Sequence, residues 1–222
     1  MFKILLFVNA LLITSDPTQK ALLGKLEQAI NNMKSLFEDL LDVSKLESLL
    51  DNIETGPIAL NPILDNLFHE FEVLAADKSL ILKFHGKDFV VNSNRRMLER
   101  IIRNLLSNAI RYTQKGGVLL VCRERQGYAC IEVWDTGIGI PEESLETVFK
   151  RFHQVEQQGD EVQGYGLGLS IVKRLSEKLK HPIEVKSTLG RGTLFRVRIP
   201  LNNSSDNISL EQPDKVSDSA TL

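Results

Sequence analysis

The sequence has few cysteines, almost no net charge and no long apolar run. Two cysteines in 222 residues are too few for a disulfide framework. Cys122 and Cys130 flank a hairpin turn, could lie close together, and read as reduced packing thiols. The 27 basic and 29 acidic side chains leave a formal charge of -2, so no basic field exists to attract nucleic acid. No apolar run reaches the ~18 residues that a membrane span requires. Met1-Phe2-Lys3 followed by Ile4 to Ile13 has the outline of a short signal peptide. No small-x-small cleavage site follows it, however, and Asn9 interrupts it, so it reads as the end of an amphipathic helix. Two familiar phosphate cradles are also missing. Gly86-Lys87-Asp88 lacks the first glycine and the hydroxyl of a P-loop, and no Gly-x-Gly-x-x-Gly is present.

With 42% hydrophobic residues, the chain suits one globular domain with extra material at its ends. Residues 2–13 read as a short helix, and Ser15-Asp16-Pro17 as a stop and restart. A long helix over 17–50 follows. Leu22, Leu26, Ala29, Met33, Leu36, Leu40 and Val43 form a heptad seam, widened by Leu23, Ile30 and Phe37. So apolar a helix needs a partner, and a homodimer or heterodimer through it is expected. Thr55-Gly56-Pro57 marks a boundary.

Beyond it, Asn61-Pro62 caps an amphipathic helix that runs to about Ala76, followed by strand-like runs at 80–84 and 88–91. A helix over 94–112 buries Leu98, Ile101, Ile102, Leu105, Leu106 and Ala109. Alternation at 117–123 and 128–134 gives a hairpin around Arg125-Gln126-Gly127. Loop and short helices fill 136–164, a helix covers 166–179 and stops at His181-Pro182, and strands at 183–187 and 192–199 close the domain. The expected fold is α+β, a two-layer sandwich with helices on one face of a mixed sheet. Three regions result: 1–54 helical, 55–201 the sandwich, and 202–222 a polar tail expected to be disordered.

Three motifs in the sandwich carry chemistry. Asp135-Thr136-Gly137-Ile138-Gly139-Ile140 follows a strand directly. A carboxylate fixed at a strand end can accept from an exocyclic amine, and the glycines let the backbone fold beside a flat ring. Asn104 and Asn108, four apart on one helix, share a face. Their amide oxygens suit magnesium, which takes few protein ligands beside phosphate and water. Arg111 and Tyr112 project over the same edge. Gly164-Tyr165-Gly166-Leu167-Gly168-Leu169 opens a helix. Its alternate glycines admit backbone amides to a polyphosphate, which the helix N-terminus attracts.

Together these runs resemble the ATP-binding catalytic domain of sensor histidine kinases, in the superfamily shared with gyrase-type ATPases. Asn104 to Tyr112 resembles its N box, Asp135 to Gly139 its first glycine box, and Val148-Phe149-Lys150-Arg151-Phe152 its F box. Gly164 to Leu169 resembles its second glycine box, and Arg191-Gly192-Thr193-Leu194-Phe195 its closing strand. All stand in family order within about 57–200.

The resemblance implies ATP with Mg2+. Asp135 would bind the adenine amine with help from Thr193. Asn108 would ligate the metal with Asn104 beside it, and Arg111 and Tyr112 would reach phosphate or ribose. Residues 153–163 would form a lid started by Phe149 and Phe152, and Gly164, Gly166 and Gly168 would pass the phosphates. It further implies a response regulator receiver domain as partner and a cytoplasmic location, where ATP is found.

Phe37 to Ser48 resembles the end of the second helix of the kinase dimerisation hairpin, which makes 2–13 the tail of the first. The family's phosphoacceptor histidine, early in that helix, has no counterpart. The histidines here are His69, His85, His153 and His181. The chain thus reads as truncated at its start. Its lid carries Glu156, Asp160 and Glu161 but no lysine or arginine, a second departure that Arg111, Lys150 or Arg151 could offset. Gyrase-type hydrolases place a glutamate base where this chain has Asn104, and an amide cannot take a proton from water. The expected activity is γ-phosphoryl transfer to a histidine supplied in trans. The alternative is a non-catalytic ATP-binding module that dimerises with other kinases.

Overall fold

The computed structural model describes residues 53–150 and 166–201, together with Leu23, Leu26 and Ile30. Those three residues are helical, with Leu23 and Ile30 half-buried and Leu26 exposed. The helix expected at 2–13, the rest of the 17–50 helix, the 153–163 lid and the tail from 202 lie outside the described residues.

The chain order is β1 (Gly56–Ala59), α1 (Asn61–Asp77), β2 (Ile81–Gly86), β3 (Val90–Ser93), α2 (Arg95–Tyr112), β4 (Gly117–Arg125) and β5 (Tyr128–Asp135), then a 3-10 turn at Glu142–Ser144, α3 (Gly168–Leu179), β6 (Ile183–Thr188) and β7 (Gly192–Pro200). Five strands form one sheet in the order β2-β4-β5-β7-β6. β2 runs parallel to β4 and the other pairs are antiparallel, so the sheet is mixed. β1 and β3 pair antiparallel in a separate two-stranded sheet. The result is the α+β sandwich expected from the sequence.

α1 starts at a different residue from the one the sequence suggested. Leu60, not Asn61, takes the N-cap position, and its carbonyl accepts from Ile63 and Leu64. Asn61 is already helical, and its Oδ1 is buried without a partner. Pro62 in the first turn needs no N–H there. Ile63, Leu64, Leu67, Phe71 and Ala75 face the core at helical spacing.

α2 is capped as its sequence requires. Asn94 Oδ1 accepts the Met97 amide at 3.1 Å. Leu98, Ile101, Ile102, Leu105 and Leu106 are all fully buried, so truncating any one to alanine costs about 2–5 kcal/mol. At its far end Lys78 Nζ donates to the carbonyls of Ile110 and Arg111 at 3.2 and 3.3 Å. A cation there suits both the orphan carbonyls and the helix dipole.

The β4–β5 hairpin turns on Gln126 and Gly127, both at positive φ, the geometry that matches strand twist in two-residue loops. α3 begins at Gly168, two residues later than expected, because Gly166 is left-handed and Leu167 holds the N-cap position. It ends where Lys180 turns left-handed and the His181 amide reaches back to the Ser176 carbonyl at 2.9 Å. Pro182 follows this stop and does not cause it.

The core lies between the helices and one sheet face. Rows of paired residues cross the strands there: Cys122–Ile131–Val197–Ile183, then Leu120–Val133–Phe195–Val185. Cys122 pairs with Ile131 and Cys130 with Arg123, so the two cysteines occupy opposite faces of the hairpin and remain free. Burial pushes the Cys122 thiol up to about 12 and also raises Cys130, which makes both inert.

The outer face carries a charged lattice. Glu132 is fully buried, accepting from Arg196 at 2.7 Å, from Arg123 at 2.8 Å and from Trp134 Nε1 at 3.0 Å. Glu184 bridges Arg196 and Arg198 at 2.9 and 3.1 Å. Burial favours the neutral acid, but these bonds together hold the Glu132 carboxyl below its usual range.

Candidate nucleotide site

At one end of the sheet the core rows give way to polar residues. Val118 pairs with Asp135, and Ser187 pairs with Thr193, on the face that carries the helices. Asp135 stands at the last position of β5, where the ladder holds its backbone. Its Oδ1 accepts two backbone amides, from Gly137 at 2.8 Å and from Thr193 at 3.2 Å. Both donors take the same oxygen, and among the described residues none donates to Oδ2. Burial raises the Asp135 pKa, and the two amides offset this only in part.

Glycine is required at two neighbouring points. A side chain at Gly137 would strike the Tyr112 carbonyl, and one at Gly192 would strike the Asp135 carbonyl, with Gly192 also left-handed. Strand end, helix end and closing strand therefore touch backbone to backbone. The Tyr112 carbonyl accepts from Ile138 at 3.2 Å, which ties the first glycine box to the end of α2. Ile140 is half-buried, and its amide donates to Ser187 Oγ at 2.8 Å.

The second polar group sits on α2. Asn104 and Asn108 are both half-buried. Asn104 Nδ2 donates to the Arg100 carbonyl at 3.0 Å, which leaves its Oδ1 directed elsewhere. That oxygen lies 3.0 Å from where a Cβ on Gly168 would stand, and Asn108 Nδ2 lies 4.0 Å from the same point. The structure thus brings the second glycine box against the two asparagines. Arg111 is half-buried and Tyr112 exposed, at the last turn of α2.

The N-terminus of α3 has no side-chain cap. Its first amides carry partial positive charge and, among the described residues, receive no side-chain cap, the usual setting for an anion. Leu167 is buried and Leu169 is packed against the core, which fixes this turn in place. Phe149 stacks edge-on against Phe195, with ring centroids 6.2 Å apart, and anchors the segment ahead of residue 151. Phe152, Gly164 and Tyr165 lie outside the described residues.

Two residues of this site were not singled out from the sequence. Ser187 joins the Ile140 amide, the Gly192 carbonyl and the Thr193 hydroxyl. Lys78 holds the end of α2 from which Arg111 and Tyr112 project. Strand alternation places Ser187 on the core-facing side opposite Thr193, but a lone serine there does not mark a site until Ile140 and Thr193 are seen around it. Nothing local marks Lys78, whose target lies 32 residues away.

Known proteins share this fold. Residues 93–203 match the family described as histidine kinase-, DNA gyrase B-, and HSP90-like ATPase. The sensor histidine kinase YcbM of Bacillus subtilis is 34% identical over 198 residues, covering 84% of this chain and 63% of that protein. The sensor histidine kinase RcsC of Escherichia coli is 37% identical over 185 residues, covering 80% of this chain and 20% of that protein. This chain therefore spans less than two thirds of either relative. Among solved structures, full-length ShkA in complex with AMPPNP superposes with a TM-score of 0.69 at 25% identity, over 87% of this chain and 41% of that one. The match spans the asparagine helix, both glycine boxes and the closing strand, and places the chain in the histidine kinase-, gyrase- and HSP90-like ATPase family, as an ATP-binding catalytic domain of the sensor histidine kinase type.

Proposed function

We propose that this chain passes the γ-phosphoryl group of ATP to a histidine supplied by another molecule, for relay to a response regulator receiver domain. The carrying observation is Asp135. Its Oδ1 is fixed by the Gly137 and Thr193 amides, which leaves Oδ2 as a rigid acceptor for the adenine amine. Thr193 assists at the base.

Magnesium would be held by Asn108, with Asn104 beside it. The side-chain amides and the uncapped α3 N-terminus supply the oxygens and the positive field that a metal–polyphosphate pair requires. Arg111 and Tyr112 reach phosphate or ribose, and Gly164, Gly166 and Gly168 line the phosphate path. Residues 153–163 would close over the nucleotide, led in by Phe149 and Phe152. The sandwich over 55–201 would thus be a unit separate from the helical part over 1–54, whose 17–50 helix would make a homodimer or heterodimer. This activity belongs in the cytoplasm.

Transfer is favoured over hydrolysis because Asn104 stands where a hydrolase has its glutamate. Its amide already donates to Arg100 and has no basic lone pair to activate water. Phosphoryl transfer needs mainly positioning and charge stabilisation, both of which the site offers. None of the described histidines lies near it as an acceptor: His69 and His85 are exposed on α1 and β2, and His181 is buried against Ser93. Those positions also keep a second reading, a non-catalytic ATP-binding module that pairs with intact kinases.

One assay separates the two. γ-32P-labelled ATP, Mg2+ and this chain are mixed with a supplied acceptor hairpin. Acid-labile label on the hairpin supports transfer. Tight nucleotide binding with no label supports the module. Strong magnesium-dependent release of phosphate without an acceptor contradicts both.

A further inference from the structure

The hydroxyl of Ser187 fixes which way hydrogens point at the base of the pocket. It makes three contacts: the Ile140 amide at 2.8 Å, the Gly192 carbonyl at 2.9 Å and the Thr193 hydroxyl at 2.9 Å. A serine hydroxyl has one hydrogen to donate and two lone pairs to accept with. The Ile140 N–H can only donate, so it takes one lone pair. The Gly192 carbonyl can only accept, so it takes the hydrogen. The remaining contact is attractive only if Thr193 donates to the second lone pair. Ser187 is then fully satisfied, and the hydrogen of Thr193 is committed to it.

To any further partner Thr193 therefore offers lone pairs alone. It lies beside Asp135, whose Oδ1 accepts the Thr193 amide at 3.2 Å, and Oδ2 of the carboxylate is likewise an acceptor. We propose that Ser187 is a specificity-determining positioning residue: by holding the Thr193 hydrogen, it makes the base-binding wall acceptor-only, which selects a 6-amino purine and rejects a 6-oxo purine. An amine donates to such a wall. A 6-oxo group meets only lone pairs, and leaving polar atoms unmatched in a half-buried site is where discrimination arises. Without Ser187 the Thr193 hydroxyl is free to rotate and can donate to an oxo group. The inference rests on the reading of Asp135 as the adenine acceptor.

The test is calorimetric titration of the full chain with three diphosphates: ADP, IDP and purine riboside diphosphate, whose base lacks any 6-substituent. The wild-type chain is expected to bind ADP most tightly and IDP least. In Ser187→Ala the ADP-to-IDP affinity ratio falls about tenfold, the scale of one hydrogen bond reversed. Ser187→Thr, which keeps the hydroxyl, retains the wild-type ratio. Thr193→Val lowers the ratio by itself and carries the test if Ser187→Ala does not fold. If the three nucleotides weaken in parallel with the ratio unchanged, Ser187 merely braces the loop and the inference is wrong. A wild-type chain that binds ADP and IDP equally would instead remove the adenine reading, and this inference with it.

Discussion

The Thr193 amide donates to Asp135 Oδ1 at 3.2 Å across 58 residues of sequence. Through that bond the closing strand orients the carboxylate that ends β5. The Gly137 amide adds a second bond to the same oxygen at 2.8 Å.

This geometry makes Asp135→Asn informative. The two amides would hold the asparagine carbonyl in the place of Oδ1, which turns its NH2 towards the ligand. On the proposed binding mode a donor then faces the adenine amine. ATP affinity should fall by about a hundredfold, the cost of losing one charge-assisted bond and gaining a mismatch. Thermal unfolding should be unchanged or shifted up by a few degrees, because a buried carboxylate whose pKa is raised costs stability at neutral pH. That cost is present above the folded-state pKa and is relieved as pH falls through it. A large loss of stability would show that Asp135 serves the fold and not a ligand.

Glu132 has the opposite sign. It is fully buried between Arg196 and Arg123, and its folded-state pKa is depressed. Its stabilisation is present above the unfolded carboxylate value of about 4.3 and is lost as pH falls through the lower folded value. Glu132→Ala leaves Arg196 buried without its main partner and should cost about 3–5 kcal/mol at neutral pH. Urea unfolding at pH 7 and at acid pH reads both effects. A variant as stable as the wild type at pH 7 would mean the lattice contributes nothing net.

His181 links two elements that are distant in sequence. Its Nε2 bonds Ser93 Oγ at 2.8 Å, and its carbonyl accepts from Ser176 Oγ at 2.7 Å. Burial lowers its pKa and outweighs the opposing backbone bond at Lys180. The folded state thus prefers the neutral ring. The stability it supports is complete above the ordinary histidine value of about 6.5 and falls as pH drops below it, since the unfolded chain takes the proton first. Comparing the wild type with His181→Gln by urea unfolding at pH 7.5 and 5.5 should show the larger loss in the wild type. Equal losses would remove His181 as the source.

Lys78→Ala should cost about 0.3–1 kcal/mol, as expected for a cation at a helix C-terminus. More usefully, it should weaken nucleotide binding slightly, because the released carbonyls belong to Ile110 and Arg111, next to Tyr112. Lys78→Arg should restore both. An unchanged nucleotide affinity with lowered stability would confine Lys78 to the fold.

Much of the fold was readable because its signals are local. α2 announces itself by Asn94 and an unbroken apolar face, and the β4–β5 hairpin by alternation around Gln126-Gly127. The fold class follows from the order of those elements. What escaped depends on distant partners. β1 was read as a boundary because Pro57 breaks patterns, yet proline is tolerated on a strand of a two-stranded sheet. Asparagine is a common cap type, but Leu60 takes the N-cap position here and Asn61 is the first helical residue, ahead of Pro62. Burial of Glu132 could not be foreseen, because Arg196 lies 64 residues on. In the site, Asp135 and the two asparagines stood out by type and spacing. Ser187 did not, since one serine in a strand carries no signal until Thr193 and Ile140 are seen beside it.

On the proposed reading a nucleotide lies between Asp135 and the start of α3. The most direct measurement is a heteronuclear NMR titration of the full chain with Mg2+ and AMPPNP. The backbone amides of Gly137, Thr193, Gly168 and Leu169 should shift or broaden together as the ligand is added, while those of Glu132 and Arg198, in the strands that carry the outer charged face, stay in place. Perturbation centred on the outer face, with Gly137 and Gly168 unmoved, would show that the nucleotide binds elsewhere.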